Sequence, residues 1–300
     1  MKQILPLEHI RWIKITNPTE RDVKDIEEEF HVHPLVLKEF FIPTVRPKVE
    51  VYENHLYMVM HFPIFNAKER KTHALEIDFV LFKDTIITMS YQDITPLEEF
   101  WEMAKKDDGT MEKTAGHFLY YLIHHLFGFA HRELDHIEDN VDTLEDVIFY
   151  GRSDIINRDI YIARRDVIDF RRTLKPQEIT LEALVHKGAD LYGDRVKPFF
   201  QRLIAEHQKI RDVVDDHMQT IDELYDTNQS IVSSNINSTM KVFTVLAFIT
   251  FIPTLIVNLF SVSVAGIPFA HDQNGFWLVL LLALVCTVFA YVVFKLWKIL

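Results

Sequence analysis

The chain has 300 residues, enough for about two domains, and a formal net charge of −12. So acidic a chain is poorly suited to bind nucleic acid or anionic lipid headgroups, because like charges repel. It has a single cysteine, Cys286, which excludes a disulfide framework or a thiolate metal site built from one chain.

Residues 1–110 are predicted to form a cytoplasmic α/β domain. The segment "TERDVKDIEEEF" is typical of a helix capped by Thr19. The segments "HLYMVMHFPIF" and "LEIDFVLFKDTIITMSY" are rich in β-branched and aromatic residues, which favours strands, with a turn at Asp84–Thr85. Between helix and strands, "FIPTVRPKVEVYE" is interpreted as a connector interrupted by prolines. The first residues lack a continuous apolar stretch, so no signal peptide is predicted.

Residues 111–240 are predicted to form a funnel or stalk of long helices. Three helical stretches are expected, 111–149, 153–187 and 194–263. Gly151, Pro176 and Gly193 punctuate the region, and Pro176 either interrupts or only kinks the second stretch. The third stretch would be about 100 Å long at 1.5 Å per residue. A helix of that length cannot bury itself in one small domain, which favours a bundle of identical chains.

Two transmembrane helices are predicted, 241–263 and 276–298, joined by an external loop, 264–275. No charged residue occurs from Val242 to Ala270 or from Gly275 to Phe294, and about 20 apolar residues suffice to cross a bilayer. The alternative is a pair of buried helices in a soluble domain. Lys241, Lys295 and Lys298 flank the spans, so the positive-inside rule places both termini in the cytoplasm.

One face of the third stretch changes from acidic to polar and then to apolar. Residues that share this face at 100° per residue are Asp226, Ser233, Asn237, Met240, Phe243, Ala247, Phe251, Thr254 and Asn258. Asp222, Asp215 and Asp212 continue it toward the N-terminus. Thr254 and Asn258 need a polar partner or water inside a membrane. They either line a pore or hydrogen-bond neighbouring helices.

The chain resembles the CorA-type divalent-cation transporters over nearly its whole length. The resemblance is carried by "NINSTMKVFTVLAFITFIPTLI" and by "HFLYYLIHHLFGFAHRELDHIEDNVDTLEDVIF". It implies an α+β membrane protein with an N-terminal α/β domain, a funnel of long helices and two C-terminal spans. It also implies a homopentamer in which the first span lines the pore and the second surrounds it.

The sequence departs from that family's pattern at its most specific position. The family carries Gly-Met-Asn at the outer end of the first span, where this chain has Ser261, Val262 and Ser263. Asp272 is the lone acidic residue of the external loop, and Arg202 stands where the family's regulatory metal site has a carboxylate.

The resemblance predicts a passive transporter of divalent cations, most simply Mg²⁺, in an inner or plasma membrane. Its partners would be further copies of the chain and membrane lipid, without nucleic acid and without a permanently bound cofactor. Zn²⁺, Co²⁺ or Ni²⁺ is the alternative cargo, and a non-conducting scaffold or sensor is the alternative function. No phosphate-binding loop or catalytic constellation is recognised, so no enzyme is predicted.

The 15 histidines do not by themselves define a metal site. His117, His124 and His131 share a helix face, but a spacing of seven residues separates neighbours by about 10 Å. That distance is too large for one ion, so the residues of any metal site stay unassigned.

Overall fold

The computed structural model describes residues 1–44, 46–66, 69, 71–106, 114–150, 156–262 and 274–296. The chain divides into two compact units, Met1–Tyr225 and Asp226–Leu300. They are called here the N-terminal unit and the C-terminal unit. The predicted subdivision into domains and membrane spans stays a prediction.

The N-terminal unit contains a mixed sheet of six described strands. Their bounds are β1 Lys2–Pro6, β2 Arg11–Thr16, β3 Lys48–Val51, β4 Leu56–Asn66, β5 Lys71–Leu81 and β6 Thr85–Ser90. The order across the sheet is β1-β2-β6-β5-β4-β3. Neighbouring strands are antiparallel except β2 and β6, which are parallel. The predicted turn at Asp84–Thr85 joins β5 to β6, where the Phe82 amide donates to the Thr85 carbonyl.

The helices account for the rest of the described secondary structure. Their bounds are α1 Glu20–Phe30, α2 Pro34–Glu39, α3 Thr95–Ala104, α4 Ala115–Tyr150, α5 Ile156–Leu174, α6 Gln177–Tyr192, α7 Lys197–Phe260 and α8 Gly275–Leu296. A 3₁₀ turn, Asp194–Val196, precedes α7. Thr19 caps α1 as predicted. Its side chain accepts a hydrogen bond from the Asp22 amide, and the Asp22 carboxylate accepts one from the Thr19 amide, which completes a capping box.

Helices cover both faces of the sheet because alternate strand residues point to opposite sides. On one face, Ile13 and Val80 share a buried cluster with Ile26 of α1 and Val36 of α2. On the other face, Trp12 packs against Phe100 of α3 and Phe118 of α4. Helices α4, α5 and α6 continue this second layer over β4.

The structure corrects the predictions for two segments. The stretch 153–187 is not one helix, because α5 ends at Leu174 and α6 begins at Gln177, so Pro176 interrupts the stretch and does not merely kink it. Pro176 has no amide hydrogen to continue the ladder of α5. The expected connector 41–53 also contains a strand, β3, which pairs with the edge of β4.

The first half of α7 is fixed within the N-terminal unit by close packing and polar contacts. A side chain at Gly188 of α6 would approach Phe200 to 2.6 Å, so glycine permits the contact. Buried His207 bonds through Nε2 to the Leu174 carbonyl at 2.9 Å. Arg211 pairs with Glu178 of α6 at 2.7 Å. These contacts hold the helix that carries the candidate site.

Candidate pore face

Helix α7 continues from a polar segment into an apolar segment without interruption. It comprises 64 residues and includes Pro253 in its interior. Within the described residues, two helices are long and apolar enough to cross a membrane. They are Asp194–Phe260, which includes α7, and α8. Because proline lacks an amide hydrogen, Pro253 leaves the Ile249 carbonyl without its usual helical donor.

The face predicted from the sequence is exposed in the single chain. We call it the predicted pore face, and it comprises Asp226, Ser233, Asn237, Met240, Phe243, Ala247, Phe251, Thr254 and Asn258, all of which are exposed. Phe243 and Phe251 expose 62% and 59% of their surface. Such large apolar side chains need cover from lipid or from another chain.

Helix α8 packs on a different side of α7. Phe248 of α7 contacts Phe294 of α8, with ring centroids 5.4 Å apart, and nearby Val245 is buried. At 100° per residue, the mean direction of these two α7 positions lies about 110° from the mean direction of the predicted pore face. The contact with α8 therefore leaves that face uncovered within the C-terminal unit.

The two polar positions in the apolar part of the face differ in their hydrogen bonding. The Thr254 hydroxyl donates to the Thr250 carbonyl at 2.7 Å, so its own helix satisfies it. Across the described residues, the Asn258 side-chain amide forms no hydrogen bond. An amide has two donor hydrogens and an acceptor oxygen, so Asn258 is the residue here that requires an outside partner.

A polar groove follows α7 on the N-terminal side of its apolar segment. The open groove has a volume of about 1160 Å³. Its lining includes Gln229, Ser233 and Asn237, and it ends near Lys241 and Thr244. Polar side chains of this kind can carry a hydrated ion by replacing or contacting its outer water shell.

The acidic residues upstream of Asp226 are already paired within the chain. Asp215 and Asp222 form ion pairs with Arg171 and Arg164 of α5. The acidic part of the predicted face therefore meets α5 at these positions. Within the described residues, exposed Asp226 has no ion pair, so it is the first carboxylate of the face left available.

Comparison with known proteins identifies the family. The family described as "CorA-like Mg2+ transporter protein" matches residues 8–296. The chain belongs to this CorA-like family. The family consists of transporters, and the two apolar helices fit a membrane protein.

Individual relatives and one solved structure agree with the family assignment. The cobalt/magnesium transport protein CorA of Thermotoga maritima is 26% identical over 286 residues, covering 95% of this chain and 82% of that protein. The zinc transport protein ZntB of Yersinia enterocolitica is 20% identical over 239 residues, covering 78% and 70%. The complete structure of the CorA magnesium transporter from Methanocaldococcus jannaschii superposes with a TM-score of 0.84 at 18% identity, covering 97% and 92% of the two chains, which shows the shared fold.

Three of the positions singled out in the sequence as departures from the family pattern are described by the structure, Ser261, Val262 and Arg202. The Ser261 hydroxyl donates to the Val257 carbonyl at 2.7 Å, and Val262 is half exposed. Ser263 and Asp272 lie outside the described residues. Arg202 is exposed and pairs with Glu206 one turn along α7.

Two of the three histidines singled out in the sequence have other partners. His124 pairs with Glu206 at 2.6 Å, and His117 packs against Phe199. Across the part of the chain that the structure describes, no group of three or more His, Cys, Asp or Glu residues is placed to hold a metal ion.

Sequence reasoning missed the arginines of α5 as partners of α7. A signal was present, because Arg164 and Arg171 are spaced by seven residues, as are Asp215 and Asp222. Equal spacings on two helices allow both pairs to form when the helices run antiparallel.

Proposed function

We propose that the chain is a passive transporter of divalent cations, and that five copies surround a pore lined by the predicted pore face. The observation that carries this proposal is the exposed Asn258 amide, which lacks a partner inside the described chain and lies about 110° around α7 from the mean direction of the α8 contact. A ring of such amides would present oxygens to a cation. The CorA-like family supplies the transport function and the expected homopentamer.

Mg²⁺ is the proposed cargo, and it would pass largely hydrated because it loses its water shell reluctantly. The predicted face offers amide and hydroxyl oxygens in its apolar part, which suit a hydrated ion. The Thermotoga relative is named for cobalt and magnesium and the Yersinia relative for zinc, so Co²⁺ and Zn²⁺, together with Ni²⁺, are the competing cargoes. A membrane potential would drive entry by about 2.3 kcal/mol per charge per 100 mV.

Phe243 and Phe251 would form the narrow apolar part of the pathway. Their exposed rings lie on the same face as Asn258. Rings of apolar side chains can stop conduction by excluding water. Asp226 would attract cations at the wider polar end, because acidic rings favour cations at pore mouths.

The proposed topology places both termini and the N-terminal unit in the cytoplasm of a bacterial-type inner membrane or a plasma membrane. The Lys residues that flank the spans, Lys241, Lys295 and Lys298, support this orientation through the positive-inside rule. The boundaries proposed for the spans are 241–263 and 276–298. Lipid would cover the outer surface of α8.

Two variants test the role of the Asn258 amide: one removes it, and the other moves it around the helix without changing the composition. Asn258→Leu should lower divalent flux in liposomes while leaving the pentameric mass in detergent unchanged. The swap Asn258→Leu/Leu259→Asn rotates the amide by about 100° around α7 and should leave flux low. Normal flux per pentamer in either variant, with a weakened assembly, would instead assign Asn258 to helix–helix contact.

A non-conducting scaffold or sensor is the second candidate. The observation in its favour is the Ser-Val-Ser sequence at the place of the family's Gly-Met-Asn, with the Ser261 hydroxyl bonded to its own helix. An intact pentamer that transports no divalent ion across the membrane would favour this second function.

A further inference from the structure

A second pocket lies entirely within the N-terminal unit, between β4, β5 and the junction of α5 with α6. Its volume is about 280 Å³. Its polar lining comes from His61 on β4, from Lys71 and His73 on β5, and from Asp169 and Arg172 on α5. The proposed transport function uses none of these residues.

Two cationic side chains of this pocket, Lys71 and Arg172, have no partner in the part of the chain that the structure describes. Within the described residues, neither Lys71 nor Arg172 forms an ion pair or a side-chain hydrogen bond, and both are exposed at the pocket. The lining thus carries two fixed positive charges against the single negative charge of Asp169. In a chain of net charge −12, such a local excess of positive charge favours an anion.

Two buried acceptor atoms in the same lining also lack partners. His61 is 8% exposed, and its Nε2 lies 2.8 Å from the Thr44 carbonyl and 3.4 Å from Oε2 of Glu76. A ring nitrogen that donates to a carbonyl carries the hydrogen, so the other nitrogen, Nδ1, is an acceptor in the neutral ring. Nδ1 is buried without a hydrogen bond, and so is Oδ2 of Asp169. Unsatisfied buried acceptors are costly and call for a donor.

We propose that this pocket binds a phosphate group that retains a proton. Its anionic oxygens would accept hydrogen bonds from Lys71 and Arg172, and its P–OH would donate to Asp169 or to Nδ1 of His61. Phosphate meets both requirements because its second pKa lies near neutrality. It therefore offers anionic oxygens to the two cationic side chains and a P–OH donor to the two buried acceptors. Sulfate carries no proton at neutral pH and would leave both acceptors unsatisfied.

A bare metal ion does not fit the pocket. Two cationic side chains would repel it, and the described residues hold no metal-binding group of three ligands. The volume exceeds that of a phosphate ion but lies near the lower end of small-molecule sites. The ligand is therefore either inorganic phosphate or a small phosphate monoester.

Calorimetry on the full-length protein in detergent tests the proposal with inorganic phosphate, sulfate and ribose 5-phosphate. Phosphate should bind once per chain, and sulfate should bind at least about tenfold more weakly. Tighter binding of the monoester than of inorganic phosphate would identify the organic source, and equal or weaker binding would identify the inorganic one. No binding of either phosphate, or equal binding of phosphate and sulfate, would overturn the proposal.

Variants assign the effect to the pocket. Arg172→Gln should weaken phosphate binding by about tenfold or more. Lys187→Gln removes the same charge from α6 outside the pocket and should have no effect. Asp169→Asn should reduce the preference for phosphate over sulfate, because an amide can donate to sulfate where a carboxylate cannot. Equal effects of Arg172→Gln and Lys187→Gln would contradict the site.

Hydrogen exchange on the unmodified protein keeps the test independent of how well the variants fold. Phosphate, but not sulfate, should slow amide exchange in segments 71–74 and 169–173, which line the pocket. Unchanged exchange in both segments at a saturating phosphate concentration would rule out binding at this place.

Discussion

Arg171 of α5 lies against Asp215 of α7, with Nε 3.0 Å from Oδ1. Two turns away on both helices, Arg164 pairs with Asp222 at 3.2 Å. The helices run antiparallel, so the same seven-residue spacing brings both pairs together. They tie α5 to the part of α7 that belongs to the N-terminal unit.

The Arg171–Asp215 pair should make a small, measurable contribution to stability. Both side chains are 43% exposed, so solvent screens the pair and its coupling energy should be at most about 1 kcal/mol. Arg171→Asp should lower the free energy of unfolding by bringing two carboxylates together, and the swap Arg171→Asp/Asp215→Arg should restore most of it. Denaturant unfolding, followed by tryptophan fluorescence, measures the free energy of unfolding of the wild type, the single variant and the swap, which together form a mutant cycle.

The matched control for that cycle is Arg158→Asp, because exposed Arg158 on the same helix has no ion pair within the described residues. It should change stability little. A swap that is no more stable than the single variant would show that the pair is not energetically coupled.

Asp78 should make the stability of the N-terminal unit depend on pH. Burial, followed by repulsion from Glu76, raises the pKa of the Asp78 carboxyl well above its ordinary value of 3.8. The folded state therefore keeps a proton that the unfolded chain releases. Stability from this group is present at low pH and falls as pH rises above 3.8 toward the raised pKa.

Asp78→Asn should flatten this part of the stability profile, because an amide does not titrate. Its free energy of unfolding should decline less than that of the wild type between about pH 4 and 7. Exposed Asp93→Asn serves as the control and should leave the wild-type slope in place. Identical slopes for the wild type and Asp78→Asn would contradict the raised pKa.

Phe251→Ala should raise basal divalent flux. The change removes an exposed ring from the apolar part of the predicted pore face and would widen and hydrate the constriction. Leu246→Ala is the matched control, since Leu246 is similarly exposed but points about 120° away from that face. Flux equal to wild type in an intact Phe251→Ala pentamer would place Phe251 against lipid or in a packing contact.

Local signals in the sequence were sufficient for much of the fold. The Thr19 cap depends on residues three positions apart, and the β5–β6 turn on a short polar break between two strands, so both were predicted. The strand β3 escaped prediction because "KVEV" is short and follows a proline, and pairing with β4 decides its conformation. The sequence leaves open whether Pro176 interrupts or only kinks its helix, and the structure places it at the junction of two helices.

The candidate sites depended on different kinds of information. Helical periodicity was enough to place Asn258 and Phe251 on one face of α7. The sequence could not show that the Thr254 hydroxyl bonds to its own helix while the Asn258 amide does not. His61 and Arg172 are more than 100 positions apart, so only the packing of α5 on the sheet brings them to one pocket.

Ion flux through the purified wild-type protein in liposomes tests the central claim most directly. With Mg²⁺ outside and a negative potential inside, protein-containing liposomes should take up Mg²⁺ faster than protein-free ones, and uptake should fall when the potential is dissipated. Parallel runs with Co²⁺, Ni²⁺ and Zn²⁺ rank the cargoes. If pentameric protein moves none of these ions faster than protein-free liposomes do, the chain is not a divalent-cation transporter.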